Sequence, residues 1–112
     1  MFGPPPGTRV YLACGATDMR KGLAAQVQNV LAQDPYSEAV FCFRGRRGDL
    51  LKILVGDGQG LVLVAKRLER GRFVWPQAAS GVVSLTPAML SMLVEGIDWR
   101  MPAWTARPEV VG

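Results

Sequence analysis

Residues 39–66 read AVFCFRGRRGDLLKILVGDGQGLVLVAK, and they give the clearest indication of the protein's architecture. They contain three short apolar runs bounded by glycine: Ala39–Phe43, Leu50–Val55 and Leu61–Lys66. Runs of this length and composition are typical of β-strands. The connections Gly45–Asp49 and Gly56–Gly60 are rich in Gly and Asp, which suit tight hairpin loops because they tolerate positive φ angles. The stretch therefore predicts three consecutive hairpin strands.

A strand and a long helix are predicted before this stretch. Thr8–Ala13 alternates and is rich in β-forming residues, which predicts a strand. Thr17-Asp18 can then cap a helix. The apolar residues of that helix share one face: Met19, Leu23, Val27, Val30 and Leu31. Such a face predicts that a helix from about Asp18 to Leu31 covers the sheet.

One more strand and a short helix are predicted after the stretch. Arg72–Trp75 is a short β-rich run that Pro76 ends. Thr86-Pro87 provides an N-cap followed by proline at the first helical position, and the helix Ala88–Glu95 stops at Gly96. The predicted fold class is α+β: an antiparallel β-sheet of four to five strands packed by one long helix, with a short C-terminal helix.

The length and composition fit one globular domain. The chain has 112 residues, of which 49% are hydrophobic and 20% are charged, and domains cluster at roughly 100–150 residues. We expect a single domain over residues 1–112, with an extended N-terminal arm at 1–7 and an irregular tail at 101–112. The sequence has no apolar run of about 18 residues and no leader-like start, which predicts a cytoplasmic protein without a membrane segment.

The composition excludes several kinds of catalytic and metal site. The chain has no histidine, so it cannot form a site that uses one. Cys14 and Cys42 cannot supply the ligands of a zinc site and are expected to be buried thiols. The carboxylates of interest lie mostly in turns: Asp18, Asp49, Asp57, Glu69 and Asp98. Turn formation and ion pairing explain them without a metal, so we expect neither a cofactor nor enzyme activity.

The positive charge is concentrated in one part of the chain. There are 13 Lys and Arg against 9 Asp and Glu, a formal net charge of +4. Most of the excess comes from eight residues: Arg44, Arg46, Arg47, Lys52, Lys66, Arg67, Arg70 and Arg72. Cations along a two-stranded ribbon can follow a phosphate backbone, which predicts a nucleic-acid-binding surface. The alternative interpretation is an exposed sheet edge protected by charge.

The register of the last hairpin decides which of these cations share a face. If all five residues of Gly56–Gly60 form the loop, Val55 pairs with Leu61, and Lys52 and Lys66 lie on the same face. A loop one residue shorter or longer would separate them, because the side-chain period of a strand is two.

A second group of cations lies at the start of the predicted long helix. Arg20 and Lys21 fall in its first turn, where the macrodipole is positive and each cation costs roughly 0.3–1 kcal/mol. Gly22 lowers helix stability further. With the free N–H groups of the turn, the two cations could hold a phosphate or a partner's carboxylate. The alternative is that Asp18 and a nearby acid neutralise them.

These motifs occur together in one known family. The segments that carry the resemblance are Gly7–Val10, Thr17–Gly22, Phe43–Asp49, Lys52–Leu54, Asp57–Gly60, Lys66–Pro76, Leu85–Pro87 and Leu93–Arg100. In them the sequence resembles the TnpB accessory proteins, the second-open-reading-frame products of the insertion sequence sixty-six family of bacterial transposable elements. The resemblance spans about Gly7 to Arg100.

The resemblance implies an accessory role in transposition, beside a larger transposase that carries the catalytic carboxylates. The expected partners are DNA, that transposase and another accessory protein of the element. Two interpretations stay open: a non-catalytic component that binds the DNA backbone, and an adaptor or regulator that docks the transposase without contacting DNA. The apolar fraction also leaves room for a homo-oligomer.

Aromatic residues are missing from one stretch where the family usually has them. This chain has Val55-Gly56 and Val64-Ala65 at those positions, so phosphate contacts are expected there rather than base stacking. Trp75, Trp99 and Trp104 are interpreted as core residues.

Overall fold

The computed structural model describes residues 4–17, 22–30, 33–34, 36–78 and 80–100. These residues form five β-strands and two α-helices. In chain order they are β1 (Val10–Ala16), α1 (Leu23–Val30), β2 (Val40–Arg44), β3 (Leu50–Gly56), β4 (Leu61–Arg67), β5 (Val82–Leu85) and α2 (Pro87–Val94). No helix in this part of the chain is long and apolar enough to cross a membrane. The predicted tail at 101–112 and the first three residues of the predicted arm lie outside the described residues.

The strands form one mixed sheet in the order β4-β3-β2-β1-β5. The predicted hairpin meander is present, since β2, β3 and β4 pair antiparallel in succession. β5 pairs antiparallel with β1. β1 and β2 are parallel neighbours, because the chain between them passes through α1 and returns to the end of the sheet where β1 began.

The predicted fold class, an antiparallel sheet packed by one long helix, is therefore wrong. The fold is mostly sheet with two short helices. Of the helix predicted from about Asp18 to Leu31, the structure shows α1, which has eight residues, and positions 18–21 and 31 lie outside the described residues. The carbonyl of Gly22 accepts the first helical hydrogen bond from the Gln26 N–H at 3.2 Å. Glycine costs about 1 kcal/mol inside a helix but is tolerated at the N-cap, so α1 starts immediately after it.

The predicted strand Arg72–Trp75 is also wrong. The Phe73 N–H and the Trp75 indole N–H both donate to the carbonyl of Gly48, at 3.0 Å and 2.9 Å. Both aromatic side chains are buried. The segment therefore lies across the turn between β2 and β3, and the fifth strand of the sheet is β5.

The two faces of the sheet carry separate cores. The larger core packs beneath α2 and contains Val10, Leu12, Val40, Cys42, Leu51, Ile53, Phe73, Trp75, Leu85, Leu90, Leu93, Val94 and Trp99. On the other face, the fully buried Val27 of α1 packs with Ala13, Ala39, Phe41, Phe43 and Leu54. The core roles predicted for Trp75 and Trp99 are confirmed, and Trp104 lies outside the described residues.

Two local predictions are confirmed as well. The Thr86 hydroxyl oxygen accepts a hydrogen bond from the Met89 N–H at 3.1 Å, and Pro87 is the first residue of α2. Cys14 and Cys42 are free and buried. Burial raises the pKa of the Cys42 thiol to about 12, so this thiol stays neutral in the core.

Candidate nucleic-acid interface

Six arginines gather at one end of the sheet. Arg44 ends β2 opposite Leu51, and Arg67 ends β4 opposite Leu50 at the start of β3. Because both hairpins share β3, the β2–β3 turn and the loop after β4 lie at the same end. We call this the basic end, and its arginines are Arg44, Arg46, Arg47, Arg67, Arg70 and Arg72.

Gly48 connects the β2–β3 turn to the loop after β4, the two segments that form the basic end. Its N–H closes the turn on the Gly45 carbonyl at 3.1 Å, and its own carbonyl accepts the two hydrogen bonds from Phe73 and Trp75. Its φ of +81° lies in the region that favours glycine. A Cβ there would lie 2.9 Å from Cδ of Arg72. The loop that carries Arg72 can therefore approach the turn this closely because residue 48 has no side chain.

Two of the six arginines are held by neighbouring side chains. The Arg44 guanidinium lies 5.2 Å from the ring centroid of Trp75, a cation–π contact that fixes its position. Arg67 Nη1 lies 3.1 Å from a carboxylate oxygen of Asp49. The Arg67 side chain is still 57% exposed, so it can bind a further anion while Asp49 orients it.

The other four arginines face solvent. Arg46 and Arg47 occupy the tip of the β2–β3 turn, and Arg70 and Arg72 lie in the loop after β4, where all four are exposed. Among the described residues, none of the four forms an ion pair with a carboxylate. These cations are therefore available to an external anion.

An open groove runs between the turn and the loop. It is lined by Gly45, Arg46, Arg47, Asp49, Leu50, Arg67, Leu68 and Glu69. The Leu68 N–H donates to the Asp49 carbonyl at 2.9 Å, which fixes the floor of the groove. Its three arginines, Arg46, Arg47 and Arg67, outnumber its two carboxylates, Asp49 and Glu69, so the lining has a net charge of +1.

Lys52 and Lys66 do not share a face, so the predicted register of the last hairpin is wrong. Leu61 pairs with Gly56 rather than with Val55. The loop is one residue shorter than expected because the Asp57 N–H donates to the Gly60 carbonyl at 3.0 Å and closes the turn. The Asp57 carboxylate also accepts the N–H groups of residues 59 and 60, each at 2.9 Å, and these bonds lower its pKa.

The two lysines therefore lie on opposite faces of the sheet, and their surroundings differ from those of the arginines at the basic end. Lys52 is half-buried on the α1 face, opposite Phe43 and Ala65. Lys66 lies on the α2 face, and its ammonium donates to the carbonyl of Val94 at 2.7 Å. That carbonyl belongs to the last turn of α2, where a cation is stabilised by the helix dipole. Lys66 therefore has a structural partner, whereas the exposed arginines do not.

Three of the five carboxylates considered for a metal site have local partners. Asp49 pairs with Arg67, Asp57 closes its turn, and Asp98 pairs with Arg100 at 3.1 Å. The Arg100 side chain holds the pKa of Asp98 below its ordinary value. Among the described residues, no three His, Cys, Asp or Glu side chains lie close enough to hold a metal ion together. Asp18 lies outside the described residues.

The second predicted group of cations is not described by the structure. Arg20 and Lys21 lie outside the described residues. The last described residue before them is Thr17, whose N–H donates to the Arg44 carbonyl at 2.9 Å. The chain therefore leaves β1 at the basic end.

Sequence reasoning missed the residues that build the basic end. Gly48 and Trp75 carry no charge, and neither was singled out as part of the surface. The signal that could have found the Asp49–Arg67 pair is the hairpin itself, since its antiparallel pairing places Arg67 opposite Leu50, the residue next to Asp49.

Comparison with known proteins agrees with the family resemblance found in the sequence. A family model described as "IS66 Orf2 like protein" matches residues 8–104. An uncharacterized protein of Sinorhizobium fredii (strain NBRC 101917 / NGR234), y4hO, is 54% identical over 107 residues, 93% of each chain. A second uncharacterized protein of that strain, y4jC, is 39% identical over 102 residues, 88% of this chain and 87% of its own length. No solved structure matches the chain.

Proposed function

This chain belongs to the IS66 Orf2-like family, whose members are accessory proteins of insertion sequences, and we propose that it serves transposition by holding the DNA backbone at its basic end. The protein is not proposed to cut or join DNA. In this role the element's transposase performs the chemistry, and this protein supplies a DNA contact.

The observation that carries the proposal is the clustering of exposed arginines around one hydrogen-bonded turn. Four of them project from two segments that Gly48 ties together, and Arg67 completes the groove between these segments. Arginine binds phosphate through a planar fork of N–H groups and remains charged at any physiological pH. Several such groups at one end of the sheet can contact neighbouring phosphates of a duplex.

The uncharged parts of the basic end favour backbone contact over base reading. The chain has no aromatic side chain between residues 44 and 72, and the nearby Phe73 and Trp75 are buried. Bases could not stack on either ring without unfolding the segment. We therefore expect binding with little sequence preference, since phosphate contacts carry almost no sequence information.

The proposal is tested by the salt dependence of DNA binding. Fluorescence anisotropy with a labelled duplex, at several salt concentrations, gives the slope of log K against log salt. Neutralising Z phosphates gives a slope of about −0.9Z, so four contacts predict a slope of roughly −4. In the double variant Arg46→Ala/Arg47→Ala, we expect this slope to fall in magnitude by about two.

Arg9→Ala is the matched control. Arg9 is exposed and directly precedes β1 at the opposite end of the sheet, so its loss lowers the net charge without touching the basic end. We expect its salt slope to equal that of the wild type. Equal DNA affinity of the wild type and the double variant, or no binding by either, would contradict the proposal and favour an adaptor that docks the transposase.

A further inference from the structure

β4 is an edge strand, and no other strand in the described part of the chain pairs with its outer side. It occupies one end of the sheet order, with β3 as its neighbour. Two bonds fix the alternation of the β3–β4 ladder: Asp57 N–H to the Gly60 carbonyl, and Leu68 N–H to the Asp49 carbonyl. Hydrogen-bonded pairs alternate along an antiparallel ladder, so the even-numbered residues of β4 bond to β3. The N–H and C=O groups of Leu61, Leu63, Ala65 and Arg67 therefore point away from the sheet.

The open side of β4 is apolar and lacks the usual protection of an edge. Val62 is 43% exposed and Leu63 is 51% exposed, and Ala65 is exposed as well. Natural edge strands are protected by charges, proline, bulges or short length. The segment Leu61–Ala65 has no charge and no proline, and its pairing with β3 is regular.

The cations that follow this segment do not protect it. Lys66 is turned onto the end of α2, and Arg67 is turned onto Asp49. The interpretation of the basic residues as edge protection therefore fails for the middle of β4. The other edge differs, since β5 has only four residues and contains a serine.

We infer that β4 is an interface between two copies of this chain, which pair their β4 strands antiparallel about a two-fold axis. The open N–H and C=O groups of one edge would bond to those of the other and continue the sheet from one copy into the next. A two-fold axis is the commonest symmetry of soluble homodimers, and it uses the same surface on both copies.

Charge selects the antiparallel arrangement. In a parallel pair, the basic end of one copy, with its exposed arginines, would lie beside the basic end of the other. Antiparallel pairing of the apolar segment with itself is centred on Leu63. It places the basic end of each copy beside the turn that contains Asp57 in the other copy. Opposite charges then face each other across the interface, and like charges are kept apart.

The mass in solution tests this inference. Size-exclusion chromatography with light scattering should give twice the 12.1 kDa of one chain, changing to the single mass on dilution. Leu63→Lys puts a charge at the centre of the pairing and should give the single mass at every concentration. The matched control is Val82→Lys, because Val82 is 38% exposed on the other edge strand, and it should remain dimeric.

The outcomes that overturn the inference are distinct. If the wild-type protein is monomeric at high micromolar concentration, the proposed interface does not form. A Leu63→Lys protein that stays dimeric places the interface elsewhere. Loss of the dimer in Val82→Lys alone assigns it to β5. Circular dichroism of each variant confirms that the sheet is intact, so that a change in mass reports association.

Cross-linking tests the register without relying on a disruptive substitution. Leu63→Cys places one thiol opposite its copy, within the roughly 7 Å between Cα atoms that a disulfide can span, and mild oxidation should give a covalent dimer. Val62→Cys is the control, because its copy lies diagonally at about 7–8 Å, and it should cross-link far more slowly. Equal cross-linking of both variants, or none for Leu63→Cys, would overturn the pairing. The native thiols are buried and do not compete.

Discussion

At the scale of single residues, Gly48 is the residue on which the basic end depends. Its carbonyl is the shared acceptor of Phe73 and Trp75, and its missing side chain admits Arg72. Trp75 is held by this bond and in turn supports the Arg44 guanidinium. A glycine, a buried tryptophan and a backbone carbonyl thus position charged groups that would otherwise move independently.

Gly48→Ala should destabilise the protein by about 2–3 kcal/mol, because alanine is strained at positive φ and its Cβ would collide with Arg72. Gly58→Ala is the matched control. Gly58 also has a positive φ, +92°, but a Cβ there would meet nothing within 4 Å, so we expect a cost of only about 1 kcal/mol. Urea unfolding followed by tryptophan fluorescence measures both. Equal losses in the two variants would show that the close approach of Arg72 contributes nothing.

At the scale of secondary structure elements, Lys66 links the edge strand to α2. Its ammonium binds the carbonyl of Val94 in the last turn of the helix. Lys52 lies on the neighbouring strand β3 and on the opposite face. The two lysines, grouped in the sequence prediction as one phosphate-binding set with the arginines, are thus expected to differ in function.

Lys66→Met should lower the stability of the fold by about 1 kcal/mol, because it removes a charge-assisted bond at a helix C-terminus and keeps the apolar stem. The DNA salt slope should stay within experimental error of the wild type, since the ammonium is already bound to the helix. Lys52→Met removes the same charge from the other face and should leave stability nearly unchanged. Unfolding curves and anisotropy titrations test both variants. A salt slope reduced by about one in Lys66→Met would show that this lysine contacts phosphate.

The strands of the meander and their hairpin pairing could be predicted from sequence, and the place of β1 in the sheet could not. Short apolar runs between glycines locate β2, β3 and β4 to within a residue or two, because the local pattern determines them. The parallel pairing of β1 with β2 depends on how the chain returns after α1, which the pattern does not contain. The predicted helix was too long for the sheet it was meant to cover, since the described helix α1 has eight residues and begins only after Gly22.

The sequence predicts that the candidate site is positively charged, but it does not predict how the charged side chains are arranged. The excess of arginine between residues 44 and 72 is visible in the sequence. Which arginines are free depends on contacts between distant residues, such as Trp75 beneath Arg44 and Asp49 beside Arg67. The register of the β3–β4 hairpin depends on one hydrogen bond in the Asp57 turn. A shift of one residue there moves every side chain of β4 to the other face.

At the scale of the whole molecule, the DNA-binding surface and the self-association surface are centred on different parts of the sheet. The arginines lie at the end of the sheet where β4 finishes, and the open edge runs along β4 itself. DNA binding and self-association can therefore be removed one at a time. Because antiparallel pairing reverses strand direction, the two basic ends of a dimer would point away from each other. Such a dimer cannot place both basic ends on one short straight duplex, and it is suited to hold two.

A bridging assay combines both proposals. A biotinylated duplex on beads is mixed with the protein and a second, fluorescent duplex, and we expect the wild type to retain the second duplex. Leu63→Lys should bind DNA with the wild-type salt slope and retain none, because each monomer has one basic end. Arg46→Ala/Arg47→Ala should form dimers of normal mass and retain little at moderate salt, because each contact is weakened. Val82→Lys should behave as the wild type. Retention by Leu63→Lys equal to the wild type would show that one chain holds two duplexes, and the separation of the two surfaces would then be wrong even if each one exists.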